Sequence, residues 1–92
     1  MPEIYFSKRF TKNLRKLNRS GSFNDVKLEK ILELLARGLP LEQNHKDHQL
    51  SGNMQSLREC HVENDMLIVY EIFKSENRIK MIDIGSHSDL FE

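Results

Sequence analysis

The first forty positions of the chain show a strand-like segment followed by two helical patterns. Residues 2–6 predict a short strand, and the proline at its start favours the edge of a sheet. Ser7 is a suitable N-cap for a helix that continues to about Arg19. A Ser-Gly-Ser break at 20–22 separates it from a second helix predicted over 24–37. The apolar faces comprise Phe6, Phe10, Leu14 and Leu17 in the first helix, and Val26, Leu28, Ile31, Leu32, Leu34 and Leu35 in the second.

The second half of the chain predicts a long polar loop and then a meander of strands. Residues 41–55 are polar and contain a Ser-Gly-Asn turn at 51–53. Residues 66–70 are apolar on both faces, so the strand that contains them should be central. Three strands are predicted, at 56–62, 65–73 and 78–84.

The order β-α-α-β-β-β predicts an α+β fold in a single domain over residues 1–92. The helical hairpin must cover one face of a mostly antiparallel, twisted sheet, because otherwise neither layer could bury its apolar side. The other face of the sheet is partly polar and is expected to be available for binding.

Composition narrows the class of protein. The chain has 92 residues, of which 30% are charged and 38% hydrophobic, with a mean hydropathy of −0.59. It is too apolar for a disordered chain, and its longest strongly apolar run is far below the ~20 residues that a bilayer requires. One cysteine excludes an internal disulfide framework. With no apolar segment typical of a signal peptide, these features predict a cytoplasmic protein that does not associate with membranes.

Charge is distributed unevenly along the chain, although the formal net charge is zero. Residues 1–46 contain ten Lys and Arg against five Asp and Glu, and residues 47–92 contain four against nine. Six cationic residues share one arc of the first helix, which is either an ordinary solvated face or, as we expect from their common sign, a surface for phosphate groups. They are Lys8, Arg9, Lys12, Arg15, Lys16 and Arg19.

Several kinds of chemistry are excluded or disfavoured by the side chains present. The chain contains no Walker loop, Rossmann glycine pattern or nucleophile elbow. Cys60 and His61 are adjacent on a predicted strand, so their side chains point to opposite faces and cannot form a dyad. Cys60 is therefore predicted to be a core cysteine. The spacing of the His and Cys residues is only a weak signal for a metal site, so neither a metal nor a cofactor is expected.

The chain has four histidines, at 45, 48, 61 and 87, so acid-base catalysis is one function that the sequence allows. An imidazole exchanges protons near neutral pH. RNA carries its own nucleophile, the 2′-hydroxyl, so two histidines on either side of a phosphate can cleave it without a metal. The ordinary alternative places His45 and His48 at the surface, half-buries His61 on its strand, and leaves His87 at a helix terminus.

Two segments carry a resemblance to a known family. They are LPLEQNHKDHQLSGNMQSLRECHVENDMLIVYEI, beginning at residue 39, and IDIGSHSDLF, which ends at residue 91. Their order and spacing resemble the YafQ branch of the RelE-type bacterial toxins. The resemblance implies a RelE-like fold and an endoribonuclease that cuts mRNA in the ribosomal A site. It also implies a cognate antitoxin, DinJ-like or another small protein, that holds the toxin inactive.

The same resemblance implies roles for individual residues. His48 matches the family's general base and His87 its general acid. His61 and Asp65 match residues that orient or stabilise the reacting groups. Residues implied to bind or position the substrate are Glu59, on the strand face of His61, Phe91 at the C-terminal end, and Lys46.

One departure from the family pattern concerns positive charge. A relative has Arg four residues before the last histidine, where this chain has Asp83. A carboxylate cannot stabilise a pentacoordinate phosphate, so the positive charge is expected from Lys46, Arg58 or Lys80, or the toxin is catalytically weakened. The alternative function is that of ParE-type relatives, which inhibit DNA gyrase by contact on the same fold. A third is an inactive toxin retained for antitoxin-linked DNA binding.

Overall fold

A five-stranded mixed sheet is the centre of the computed structural model, which describes residues 1–21, 23, 25–50, 57–63 and 65–91, except for the side chain of the last. The strand order is β1-β5-β4-β3-β2. β1 runs parallel to β5, and the other neighbouring pairs are antiparallel. In chain order the elements are β1 (Glu3–Phe6), α1 (Lys8–Ser20), α2 (Asp25–Ala36), β2 (His48–Gln49), β3 (Leu57–Glu63), β4 (Met66–Phe73), β5 (Arg78–Ser86) and α3 (His87–Phe91).

This architecture confirms the predicted α+β class, with β1 at an edge and β4 at the centre of the sheet. Three of the elements that follow were not predicted. The segment expected to be a polar loop contains a 3₁₀ turn at Gln43–His45 and the two-residue strand β2. The tail forms the short helix α3. The predicted turn at 51–53 lies outside the described residues.

Helix α1 begins where Ser7 was predicted to cap it. The Ser7 hydroxyl accepts a hydrogen bond from the Phe10 backbone N–H at 2.9 Å and donates one to the Ile82 carbonyl at 2.6 Å. The cap thus also ties the start of α1 to β5. The helix ends at Gly21, whose φ of 75° lies in the left-handed region that glycine adopts without strain.

Apolar side chains from both long helices cover one face of the sheet. From the helices, Phe10, Leu28, Ile31 and Leu35 are buried, together with the strand residues Cys60, Val62, Ile68, Tyr70, Ile79, Met81 and Ile84. Two residues assigned to the apolar faces lie outside this core: Val26 is 71% exposed and Phe6 is 49% exposed. Val26 is in the first turn of α2, and Phe6 is the last residue of β1, where its ring lies 5.5 Å from that of Phe10.

The second face of the sheet carries the polar residues. Side chains alternate along β3, so Glu59 and His61 point away from the face that Cys60 and Val62 share with the helices. Leu67 is opposite His61 on β4 and is buried. None of the described helices has the length and apolar character needed to span a membrane.

Candidate active site

A buried carboxylate lies between two imidazoles on this second face. His48 is directly opposite Glu59 in the β2–β3 ladder, and His61 lies two residues further along β3. Glu59 Oε1 is 3.8 Å from His48 Nε2 and 3.7 Å from His61 Nε2. These distances are too long for direct hydrogen bonds but short enough for strong electrostatic interaction. Only 7% of Glu59 is exposed, so little water screens its charge.

The ring of His48 is held in one tautomer. Its Nδ1 lies 2.7 Å from the Lys46 carbonyl oxygen. A carbonyl can only accept, so Nδ1 carries the hydrogen and Nε2 of the neutral ring keeps its lone pair. Lys46 itself has a left-handed backbone conformation, with φ of 48°, which turns its carbonyl back toward the ring. The histidine therefore presents a proton acceptor on the side that faces Glu59.

His45 is an anchor rather than a surface residue. It is only 6% exposed, and its Nδ1 donates to the His61 carbonyl at 2.7 Å. The ordinary alternative that placed His45 at the surface is therefore wrong. The bond fixes the 3₁₀ turn to β3, immediately before the strand that carries His48. The sequence could not show this, because the acceptor is a backbone atom.

Arg58 lies on the opposite face of β3 from Glu59, against the helices. Its Nε is 3.2 Å from Asp47 Oδ1, and the Tyr70 hydroxyl donates to that same oxygen at 2.5 Å. Burial alone lowers the pKa of Arg58, but its hydrogen bonds to Asp47 and Tyr70 more than offset this, so the pKa is raised. The structure thus does not bring Arg58, predicted as a phosphate contact, together with the two imidazoles.

The tail brings His87 next to Asp65. His87 is the first residue of α3, and its backbone N–H donates to Asp65 Oδ1 at 3.4 Å. Ser86 and Asp89 cap the helix reciprocally: each backbone N–H donates to the other's side chain, at 3.1 Å in both cases. Hydrogen bonds from the Ser86 backbone and hydroxyl lower the pKa of Asp89.

Sheet register sets the distances among the three histidines. His61, Leu67 and Gly85 lie in one row across β3, β4 and β5, and His87 is two residues beyond that row. With strands ~4.8 Å apart and ~3.4 Å per residue, the Cα atoms of His61 and His87 are roughly 12 Å apart. The same arithmetic gives roughly 20 Å between His48 and His87. His61 is thus the imidazole closer to the tail.

Asp83 is part of the contact between α1 and the sheet. It is 8% exposed and accepts hydrogen bonds from the Asn13 amide at 2.6 Å and the Ile84 backbone N–H at 2.9 Å. Arg9 Nε lies 3.0 Å from its other carboxylate oxygen. The Asp83 carboxylate, which stands where the family pattern has arginine, is therefore paired with the Arg9 guanidinium.

The remaining predicted contacts lie around this face. Lys46 is exposed beside His48. Lys80 is exposed on β5 opposite Glu71, a position that alternation places on the face of Glu59 but nearer the other end of the sheet. Phe91 is the last residue of α3, and its side chain lies outside the description.

The basic arc of α1 borders a cavity of about 630 Å³ beside the tail. Lys8, Arg9, Lys12 and Lys16 line it from the helix, and Gly85 and Asp89 line it from the sheet and α3. Arg9 is paired with Asp83. Within the described residues Lys8, Lys12, Arg15 and Arg19 form no ion pair. The cavity is therefore cationic and adjoins the helix that His87 begins.

Cys60 takes no part in the site. It is fully buried, as predicted for a core cysteine, and burial together with the negative charges of Asp47 and Glu59 raises its pKa to about 12. The thiol therefore remains protonated at neutral pH. No group of three or more His, Cys, Asp or Glu is placed to hold a metal ion in the part of the chain that the structure describes.

Comparisons with known proteins agree on one family. The family model described as "Bacterial toxin of type II toxin-antitoxin system, YafQ" matches residues 2–92. The mRNA interferase toxin YafQ of Escherichia coli K12 is 30% identical over 90 residues, which cover 97% of this chain and 95% of that protein.

Solved structures agree over the whole chain. A metal-bound toxin from Helicobacter pylori is 42% identical and superimposes with a TM-score of 0.90, covering 99% of this chain and 100% of the other. YafQ in the E. coli DinJ–YafQ complex is 29% identical, with a TM-score of 0.87 and complete coverage of both chains.

Proposed function

The chain belongs to the YafQ family of bacterial toxins of type II toxin–antitoxin systems and is an endoribonuclease that cleaves mRNA, and from this premise we propose how it cuts. Cleavage is metal-independent acid-base transphosphorylation of mRNA on the ribosome, in the cytoplasm. The observation that supports it is the Glu59 carboxylate held between the imidazoles of His48 and His61 on the open face of the sheet. A cognate antitoxin holds the toxin inactive, as DinJ accompanies YafQ in E. coli.

The reaction needs one proton acceptor, one proton donor and no external nucleophile. A base removes the proton of the 2′-hydroxyl, whose oxygen attacks the adjacent phosphorus. The bond from phosphorus to the 5′-oxygen breaks, and an acid protonates that oxygen as it leaves. The products are a 2′,3′-cyclic phosphate and a 5′-hydroxyl. Detection of these two ends on cleaved mRNA is expected, and a 3′-hydroxyl with a 5′-phosphate would contradict the mechanism.

His48 is the proposed base because its Nε2 keeps a lone pair next to Glu59 and half of its side chain is exposed. When that nitrogen takes the 2′-hydroxyl proton, the Glu59 carboxylate stabilises the imidazolium that forms. His61 lies on the other side of the same carboxylate and is proposed to hold the phosphate. Lys46, next to His48 in the chain, is proposed to supply positive charge there. Lys80 is on the same face but nearer the other end of the sheet, and Arg9 is held on α1 by Asp83.

His87 is the proposed acid, positioned by the bond from its backbone to Asp65. The rough 20 Å between its Cα atom and that of His48 exceeds what two imidazoles span across one phosphate. We therefore propose that binding of RNA draws the β2 segment and the tail together. His61 lies closer to His87 than His48 does, so a smaller movement would bring its ring and that of His87 to one phosphate. His61 is therefore the second candidate for the base.

A bridging-sulfur substrate separates the acid from the base. In a synthetic mRNA with sulfur in place of the 5′-oxygen at the cleaved linkage, the leaving group needs no protonation. We expect His87→Ala to lose about 10²–10⁴-fold of its rate on the natural linkage and to recover it on the sulfur linkage. His48→Ala should lose a similar factor on both. Tyr5→Phe, on the edge strand β1, removes only an exposed hydroxyl bonded to Glu3 and is the matched control.

Each other outcome assigns the roles differently. If His61→Ala is the variant that sulfur fails to rescue while His48→Ala stays active, His61 is the base and the assignment of His48 is wrong. If sulfur does not rescue His87→Ala, His87 is not the acid. Mapping of mRNA 5′ ends in expressing cells complements this test: a DNA-damage response without new 5′ ends would favour the ParE-like gyrase inhibitor.

Metal independence has its own test, because the similar toxin from H. pylori is metal-bound. Single-turnover cleavage by the purified toxin on programmed ribosomes is measured with and without a chelator selective for transition metals over magnesium, which ribosomes require. We expect unchanged rates. A loss that added copper or zinc restores would show that a metal takes part.

A further inference from the structure

Two consecutive residues at the start of β2, Asp47 and His48, contact opposite faces of the sheet. Asp47 lies just before β2, and His48 is its first residue. His48 faces Glu59, whereas the Asp47 carboxylate contacts Arg58 and Tyr70 on the helix-covered face. Consecutive residues thus link the proposed base to the buried core.

Asp47 Oδ1 accepts two hydrogen bonds from groups that cannot easily move. Tyr70 is fully buried in the central strand, and its hydroxyl lies 2.5 Å from that oxygen. Arg58 Nε, from the neighbouring strand, lies at 3.2 Å. Burial, and then the bond to Asp47, raises the pKa of Tyr70, so the phenol remains a donor. Charge-assisted bonds of this kind are about twice as strong as neutral ones.

The strand that carries His48 is short, and the bond from His45 to the His61 carbonyl holds the turn just before it. β2 has two residues, paired with Glu59 and Arg58, and one further bond joins the Leu50 N–H to the Leu57 carbonyl at 2.9 Å. A pairing this short is weak by itself. The tautomer of His48 also depends on the position of the Lys46 carbonyl, which immediately precedes Asp47.

We propose that Asp47 is a positioning residue for His48 and that Tyr70 is the buried donor that holds it. The carboxylate fixes the chain beneath the sheet, so that the Lys46 carbonyl meets Nδ1 and the Nε2 lone pair faces the reacting group. Asp47 touches no substrate. This inference rests on the proposed role of His48 and extends it to the residues that orient the ring.

Kinetics of three variants test the inference. A misplacement of about 1 Å can cost about 10²-fold in rate, so we expect Asp47→Ala to lower kcat about 10–100-fold and Tyr70→Phe about 3–10-fold. KM should change less than threefold, because neither residue contacts RNA. Asp47→Asn keeps an oxygen for the Tyr70 hydroxyl and should recover part of the loss. Tyr5→Phe, which removes an exposed hydroxyl bonded to Glu3, is the control and should behave as wild type.

Nitrogen-15 NMR of the histidine rings in the free protein measures the tautomer of His48 directly, without an activity assay. Wild type should show His48 as the Nδ1–H form, and Asp47→Ala and Tyr70→Phe should show a mixture of tautomers. An unchanged tautomer, or a folded Asp47→Ala with wild-type kcat, would overturn the proposal. If Asp47→Ala does not fold, Tyr70→Phe decides by the same two measurements. Should His48→Ala prove active, the proposed base fails, while the tautomer still tests whether Asp47 orients the ring.

Discussion

Asp83 occupies a position where the family pattern expects arginine, and its contacts explain why arginine would not fit here. Its carboxylate joins Asn13, Arg9 and the Ile84 N–H. Asp83→Arg would place a second guanidinium against Arg9 and remove the acceptor of the Asn13 amide and of the buried Ile84 N–H. We expect the free energy of unfolding to fall by about 2–4 kcal/mol, without faster mRNA cleavage. Urea denaturation and single-turnover kinetics measure the two effects.

Asp83→Asn is the matched control. It keeps an oxygen for the Asn13 amide and loses only the charge facing Arg9, whose side chain is 71% exposed. Because exposed ion pairs contribute about 0–1 kcal/mol, its loss of stability should stay within that range. If Asp83→Arg is as stable as wild type and cleaves faster, the site lacks a cation and Asp83 is a catalytic defect.

Cys60 and Tyr70 predict how stability depends on alkaline pH. Burial raises the pKa of both, that of Cys60 from 9.0 to about 12. The folded state therefore holds these protons after the unfolded state has lost them. The stabilisation from Cys60 is complete below about pH 9 and that from Tyr70 below about pH 10. Above these values each declines by about 1.4 kcal/mol per pH unit. Urea denaturation between pH 8 and 11 should show this decline, and Cys60→Ala should show a shallower one. Equal slopes would contradict it.

At the residue scale, sequence reasoning placed Glu59 and His61 on one face of β3 but did not find the contacts of Asp47. Alternation along β3 correctly separated Cys60 from His61 and placed Glu59 on the face of His61. The contacts of Asp47 could not be predicted, because Tyr70 lies 23 positions away and reaches it only through strand pairing. Alternation could have indicated that Asp47 and His48 face opposite sides. The catalytic roles of His48, His61, Asp65 and His87 remain predictions.

At the scale of elements, helix α1 carries the sharpest prediction about RNA. If Lys12 and Lys16 contact phosphates of a single strand, replacing both with Gln should weaken binding and reduce the slope of log K against log salt by about 1.4. Binding of a short single-stranded RNA to the His87→Ala background avoids cleavage during titration.

The control for this pair lies on α2. Lys30 is already bound to Glu42 at 2.6 Å, an interaction that also lowers the pKa of Glu42. Lys30→Gln should therefore leave the salt slope unchanged. If it reduces the slope as much as the α1 variant does, RNA responds to net charge and the basic face of α1 is an ordinary solvated surface.

Helices and strands with a strong apolar periodicity could be predicted from the sequence. An element that depends on pairing with another strand could not. Both long helices and the three-strand meander follow from apolar spacing and from punctuation such as Ser7 and Gly21. β2 has two polar residues and exists only through its ladder to β3. Helix α3 could have been found, because Ser86 and Asp89 have the spacing of a reciprocal cap.

At the scale of the whole molecule, the parallel pair β1–β5 joins positions about 75 residues apart, with Ile4 opposite Ile79. Contacts between such distant positions tend to form late in folding. We expect Ile4→Ala to lower the free energy of unfolding by about 1–3 kcal/mol, mainly by accelerating unfolding. Stopped-flow chevron plots should give a φ-value below about 0.3, and Ile68→Val in the central hairpin should give a higher one. A φ-value near 1 for Ile4 would show that β1 docks early.

The β1–β5 pairing has a consequence for a toxin whose target is the translation machinery. β1 is synthesised first and its partner strand last, and His87 follows that strand directly. At about 5–20 residues per second, the nascent polypeptide spends several seconds without its edge strand docked or its acid synthesised. A nascent chain therefore cannot use His87 against the ribosome that makes it before β5 and residue 87 have been added.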